Sequence, residues 1–381
     1  MKTETPHFYG VTILLIVFFL LSVPQIYSSS PQNNGTIYSI SAGYHQGAVL
    51  YDQPDKIYLI NDFSRGCEIN LIRRRFQPNV WESDFNRLEI GTGLWFGTFG
   101  NKQIFGEGIA LKIFANYHIF EVGNFNAKYN ISFGPAYVTK LFDPEQNLFD
   151  NSFSTHINAY SGIGFVLNYN VTYRVSLSGN FMFHHISNGS FSKPNNGVSI
   201  LNAGFSAKYN LTPIQRLEYQ FTGKTPSSLR ELLFSFGMGA NQALIINIQK
   251  SLSGSLSVAH LWYTNKTKAY GMGVDLIHIG GAPYVFGEVN DIDIHQKYST
   301  SDNIYLGLFG IMESHLGSTS PFVAIGAYIY HKTEPRQPLY ARIGFRQKVL
   351  GNLSFHYSIK LNFFSSEFME FGLAYRVGWR K

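Results

Sequence analysis

The chain has 381 residues, 33 Phe and 24 Tyr, only 14% charged residues, a net charge of +6 and one cysteine. So many aromatic residues with so few charges disfavour a soluble protein of this size. A lone cysteine excludes an internal disulfide. No basic helix or RNA-binding motif points to nucleic acid, and neither CxxC nor HExxH occurs, so no zinc site is expected.

The N-terminus reads as a secretory signal peptide over residues 1–28. Lys2 supplies the positive start, Val11 to Val23 the apolar run, and Pro24 and Ser28 to Ser30 the small-residue exit. After it, no stretch of some twenty apolar residues offers a transmembrane helix. Strand-like segments recur instead, at 37–49, 87–99, 108–121, 126–141, 154–168, 173–187, 198–210, 231–248, 252–264, 268–280, 303–315, 320–331, 339–349, 353–363 and 368–379. Turn signals such as Gly123-Asn124, Asn188-Gly189, Gly280-Gly281 and Gly351-Asn352 lie between them. Many exceed the globular mode of about 5–6 residues, as tilted membrane strands require. The expectation is an all-β fold: residues 29–381 as a single transmembrane antiparallel β-barrel of the outer-membrane type, with about 14 strands (12–16).

The segment from Gln53 to Pro78 is less regular and carries Arg73, Arg74 and Arg75, read as a solvated face or a headgroup patch. The last segment is the cleanest. Phe371, Leu373, Tyr375, Val377 and Trp379 share one face and Glu370, Gly372, Ala374, Arg376 and Gly378 the other, so the two charges are expected in the lumen.

The richest stretch runs from Val175 to Ser187. As a strand it puts Val175, Leu177, Gly179, Phe181, Phe183, His185 and Ser187 on one face, so an apolar surface ends in a base beside a hydroxyl. A serine hydroxyl becomes a nucleophile when a base takes its proton, and residues two apart on a strand are close enough for that. The Asn188-Gly189 turn after it offers an amide and backbone N–H groups to an oxyanion.

His185-Ile186-Ser187-Asn188-Gly189, followed by Pro194-Asn195-Asn196-Gly197, resembles the lipid A 3-O-deacylase (PagL) family, in its longer acyloxyacyl-hydrolase form with extra strands. The likeness is strongest over about 106–210, with echoes at Met272 to Asp275 and Met369 to Gly372. It implies a serine esterase that removes an ester-linked acyl chain from lipid A in the outer leaflet of the bacterial outer membrane. His185 and Ser187 would be catalytic, Asn188 and Gly189 would serve the oxyanion, and no cofactor or metal would be needed. The family's Glu twelve positions after the Ser is replaced by Ser199, which leaves Ser199 or the remote Glu218 as candidates to orient the base. The alternative is a non-enzymatic outer-membrane channel or structural barrel with a wide polar lumen. A soluble lipid-binding barrel is a third reading, disfavoured by the outward aromatics.

Overall fold

In a computed structural model the described residues are 36–50, 57–75, 82, 85, 87–212, 229–242, 250–281, 300–333, 335, 337–362 and 365–380. The expected signal peptide and Glu218 lie outside them. The described chain is strand throughout apart from turns and short helical turns, and it forms two closed antiparallel barrels rather than one. The first holds β1 (Thr36–Leu50), β2 (Ser64–Arg75), β3 (Glu89–Thr98), β4 (Glu107–Val122), β5 (Phe125–Val138), β6 (Ile157–Asn170), β7 (Val175–Ser187) and β8 (Val198–Asn210). The second holds β9 (Leu229–Gln242), β10 (Lys250–Asn265), β11 (Lys268–His278), β12 (Ile304–Ser314), β13 (Thr319–His331), β14 (Leu339–Leu350), β15 (Leu353–Asn362) and β16 (Ser365–Arg380).

This corrects the expectation of one ring of about 14 strands. A single ring would pair β8 with β9. Instead β8 pairs back along β1, from Ser39 opposite Asn210 to Leu50 opposite Ser199. β16 likewise closes on β9, from Phe371 opposite Met238 to Arg380 opposite Leu229. Each ring satisfies its own backbone groups with no edge left over, the condition for spanning lipid. β2 is the strand missed by alternation. Cys67, Ile69 and Leu71 face outward and Asn70 and Ile72 inward, but Gly66 and the arginine run blur the pattern. Those arginines have carboxylate partners: Glu82 meets Arg73 at 2.8 Å and Arg75 at 3.3 Å, and Glu89 lies 4.0 Å from Arg74.

Alternation decides what faces where. On β6, Ile163, Phe165 and Leu167 stand outward and exposed, and on β16 all of Phe371, Leu373, Tyr375, Val377 and Trp379 do the same. The lumens are polar and filled. In the first, Glu89 receives Lys128 at 2.7 Å and Lys208 at 3.4 Å. In the second, Arg342 lies 3.1 Å from Asp275 and 2.9 Å from Glu370, and Arg376 pairs with Glu231 at 3.0 Å and with Glu313. Glu370 and Arg376 are thus both inward, with separate partners. A barrel of eight strands has an interior that side chains fill. The first encloses a cavity of about 60 Å³ lined by groups including His45, Glu68, Lys112 and His184. That holds a few waters, far less than a wide channel through the first barrel would need.

The buried charges make a direct test of this packing. Arg342→Leu would leave Asp275 and Glu370 facing each other without their shared cation, and losing one partner of a buried pair costs about 3–5 kcal/mol. Urea unfolding of the detergent-solubilised protein is expected to show that loss.

Candidate active site

His185 and Ser187 stand at the end of β7, on the outward face that begins with the exposed Leu177 and Phe181. His184 points the other way, into the lumen, where its Nδ1 lies 2.6 Å from the Tyr160 hydroxyl. Strand pairing builds a row across the outer face of the barrel. Phe133 is opposite Ser161, Ser161 opposite His185, and His185 opposite Ser199. Side chains directly opposite each other in a ladder are close enough to touch. The Ser199 hydroxyl duly sits 3.0 Å from His185 Nδ1, at the position where the family's carboxylate would be expected.

The segment after Ser187 folds back over it. Asn188, Gly189 and Ser190 are all buried, and Ser187 is 8% exposed. Gly197, the last residue of the PNxG motif, has φ +65°, and a Cβ on it would lie 2.6 Å from the Ile186 carbonyl oxygen, 2.9 Å from His185 Cε1 and 2.9 Å from Ser187 Cβ. The imidazole and the serine side chain therefore close around the space that glycine leaves empty. Nothing larger than a hydrogen fits there, which is the physical reason for a glycine in this motif.

Asn195 of the same motif accepts the Asn188 backbone N–H at 2.9 Å. The Asn188 side-chain amide donates to Ser154 Oγ and to the Ser192 carbonyl, both at 3.1 Å. Both of its hydrogens and its backbone N–H are thereby engaged. Asn188, expected at an oxyanion hole, instead ties the turn to its surroundings, because a buried amide must be satisfied. The loop before β6 supplies more support: Asn196 and Gly197 donate backbone N–H groups to the carbonyls of Asn151 and Ser152 at 3.2 and 3.1 Å. Gly189 follows with φ +63° and Ser190 with φ +67°.

The second barrel borders this region. Phe133, in the row of His185, meets Phe345 of β14 and Tyr357 of β15 with ring centroids 6.2 and 5.5 Å apart. Ser190 Oγ donates to the Ser366 carbonyl at 2.6 Å. Sequence reasoning misses Ser366 and also Gln242, at the end of β9, whose backbone N–H donates to the Ser190 carbonyl at 3.0 Å. They lie far along the chain from the motif, and a turn contact between two barrels leaves no local pattern.

Closed rings with apolar outer faces and paired charges inside define a β-barrel of the outer-membrane type. Family models agree with the two-ring division. "Lipid A 3-O-deacylase (PagL)" matches residues 73–208, and "Acyloxyacyl hydrolase, C-terminal domain" matches residues 230–379. The chain belongs to the PagL lipid A 3-O-deacylase family, a family of the bacterial outer membrane. No curated protein matches it. Among solved structures, Neisserial surface protein A is similar at 13% identity and TM-score 0.28, over 46% of this chain and 97% of that one. The NanC porin is similar at 9% identity and TM-score 0.16, over 90% and 97%. Scores this low carry no argument about function.

Proposed function

We propose that this protein is a serine esterase that removes an ester-linked acyl chain from lipid A, with Ser187 as nucleophile and His185 as general base. The observation that carries the reading is the closure of the His185 ring and the Ser187 side chain around Gly197, with the Ser199 hydroxyl bonded to Nδ1 of that ring. A base must be oriented as well as near. Ser199 bonds Nδ1, so Nε2, across the ring, is the nitrogen that serves as base on this reading. Ser199 supplies a hydrogen-bond partner but not the negative charge that a carboxylate would.

The substrate arrives sideways from the outer leaflet along the apolar face of β7. Ser187 Oγ attacks the acyl carbonyl while its proton passes to His185, which forms a tetrahedral oxyanion. With the Asn188 donors engaged, the backbone N–H groups of Gly189 and Ser190 are the ones assigned to that oxygen. Collapse breaks the ester bond. The sugar oxygen leaves with the proton from His185, and the acyl chain stays on Ser187. Water then loses a proton to His185, attacks the acyl-enzyme, and releases the fatty acid with Ser187 restored.

A fluorophosphonate probe tests the nucleophile directly. The adduct is expected on the peptide holding Ser187 and absent from Ser187→Ala. Labelling elsewhere, or equal labelling of both proteins, would overturn the assignment.

A further inference from the structure

The turn after Ser187 holds two consecutive residues in the left-handed region, and Ser190 is not a glycine. Such a conformation persists only where the surroundings over-determine it. Here much of that surrounding is the second barrel. Ser190 Oγ donates to the Ser366 carbonyl at 2.6 Å and lies 3.2 Å from Ser366 Oγ, at the start of β16. The Ser190 carbonyl accepts the backbone N–H of Gln242 at 3.0 Å, at the end of β9. The Gln242 side chain adds a second hold, since its Oε1 accepts Ser192 Oγ at 3.2 Å and the Lys193 backbone N–H at 3.1 Å. Gly189 presses against Met369, so that a Cβ there would lie 2.4 Å from Met369 Cγ. The Lys250 ammonium caps the Phe191 ring at 3.5 Å from its centroid. A first-barrel contribution to Ser190 comes from Lys193 Nζ at 3.4 Å.

We propose that the second barrel is a positioning device for the reaction: Gln242 and Ser366 clamp the Gly189–Ser190 turn in the conformation that aims its N–H groups at the reacting carbonyl beside Ser187. The inference rests on the reading of Ser187 as nucleophile. It gives the second barrel a role in the chemistry although the barrel supplies no reacting atom. Gln242 and Ser366 act through the turn and are positioning residues. A misplacement of about 1 Å at such a turn costs on the order of a hundredfold in rate, and it acts on kcat because the donors engage the transition state.

The test uses the full-length protein in mixed micelles with lipid A and follows fatty-acid release, alongside heat-modifiable mobility as the check on folding. Gln242→Leu removes the acceptor, and kcat is expected to fall by about tenfold or more with KM within about twofold. Gln242→Glu keeps an oxygen in the same place and is expected to stay within about threefold of wild type. Ser190→Ala removes the hydroxyl's bonds to Ser366 and its long 3.4 Å contact with Lys193 Nζ while keeping the backbone N–H, and is expected to lower kcat by about fivefold; it decides the matter if Gln242→Leu fails to fold. Wild-type kcat in folded Gln242→Leu or in Ser190→Ala, with Ser187→Ala inactive, would overturn the clamp and leave the nucleophile standing. Equal losses in folded Gln242→Leu and Gln242→Glu would also overturn it. Equal release by wild type and Ser187→Ala would remove the nucleophile and the clamp together.

Discussion

Ser187→Ala is expected to abolish fatty-acid release, with a loss of roughly three orders of magnitude or more in kcat and an intact fold. Only a hydroxyl is removed, at a position just inside the surface at 8% exposure, so the barrel has little reason to notice. His185→Gln is expected to cost a similar amount, because a base and its nucleophile act as a unit. For the same reason the double variant should be scarcely worse than either single one. Additive losses would mean that the two side chains work independently, which the shared packing around Gly197 does not suggest.

Gly197→Ala is the second large effect. The added methyl would sit 2.6 Å from a main-chain carbonyl oxygen that cannot yield, and 2.9 Å from both His185 Cε1 and Ser187 Cβ. The imidazole or the serine must therefore move. A shift of about 1 Å translates to roughly a hundredfold loss of kcat, beside about 1–2 kcal/mol of left-handed backbone strain. Gly123→Ala separates the two contributions. Gly123 has φ +59°, and a methyl added to it would meet nothing within 4 Å, so the variant carries the strain without the collision. It should show the strain part of the stability loss alone and keep full activity in the lipid A assay. If both glycine variants are equally active, the spacing of His185 and Ser187 does not depend on Gly197.

The strand pattern is legible where one face meets lipid and the other a polar lumen. β7 keeps one register along its length and β16 alternates from Glu370 onward, past the register shift near its start, so their outward and inward residues can be assigned from sequence. β2 is hidden because Gly66 and three arginines interrupt the alternation. The division into two rings is hidden for a different reason. Alternation reports the faces of a strand but not its neighbours, and the closing pairs β1–β8 and β9–β16 join residues far apart in the chain. The one local hint is that the family resemblance thins after about residue 210, which fits the boundary between the two family models.

The candidate site divides along the same line. His185, Ser187 and Ser199 follow from strand geometry, since the first two share a face and the third is opposite in register. The role of Asn188 does not follow, because only the folded loop brings Ser154 and Asn195 to it. The hold on Ser190 by Gln242 and Ser366 is longer in range still, and it is what ties a second barrel that closes on itself to the turn after Ser187.

The most direct measurement is mass spectrometry of lipid A from bacteria that carry wild-type protein or Ser187→Ala at equal levels in the outer membrane. The account predicts lipid A lighter by one acyl chain in the wild type alone, with the lost mass naming the chain. Identical lipid A from both strains, with both proteins folded, would contradict it.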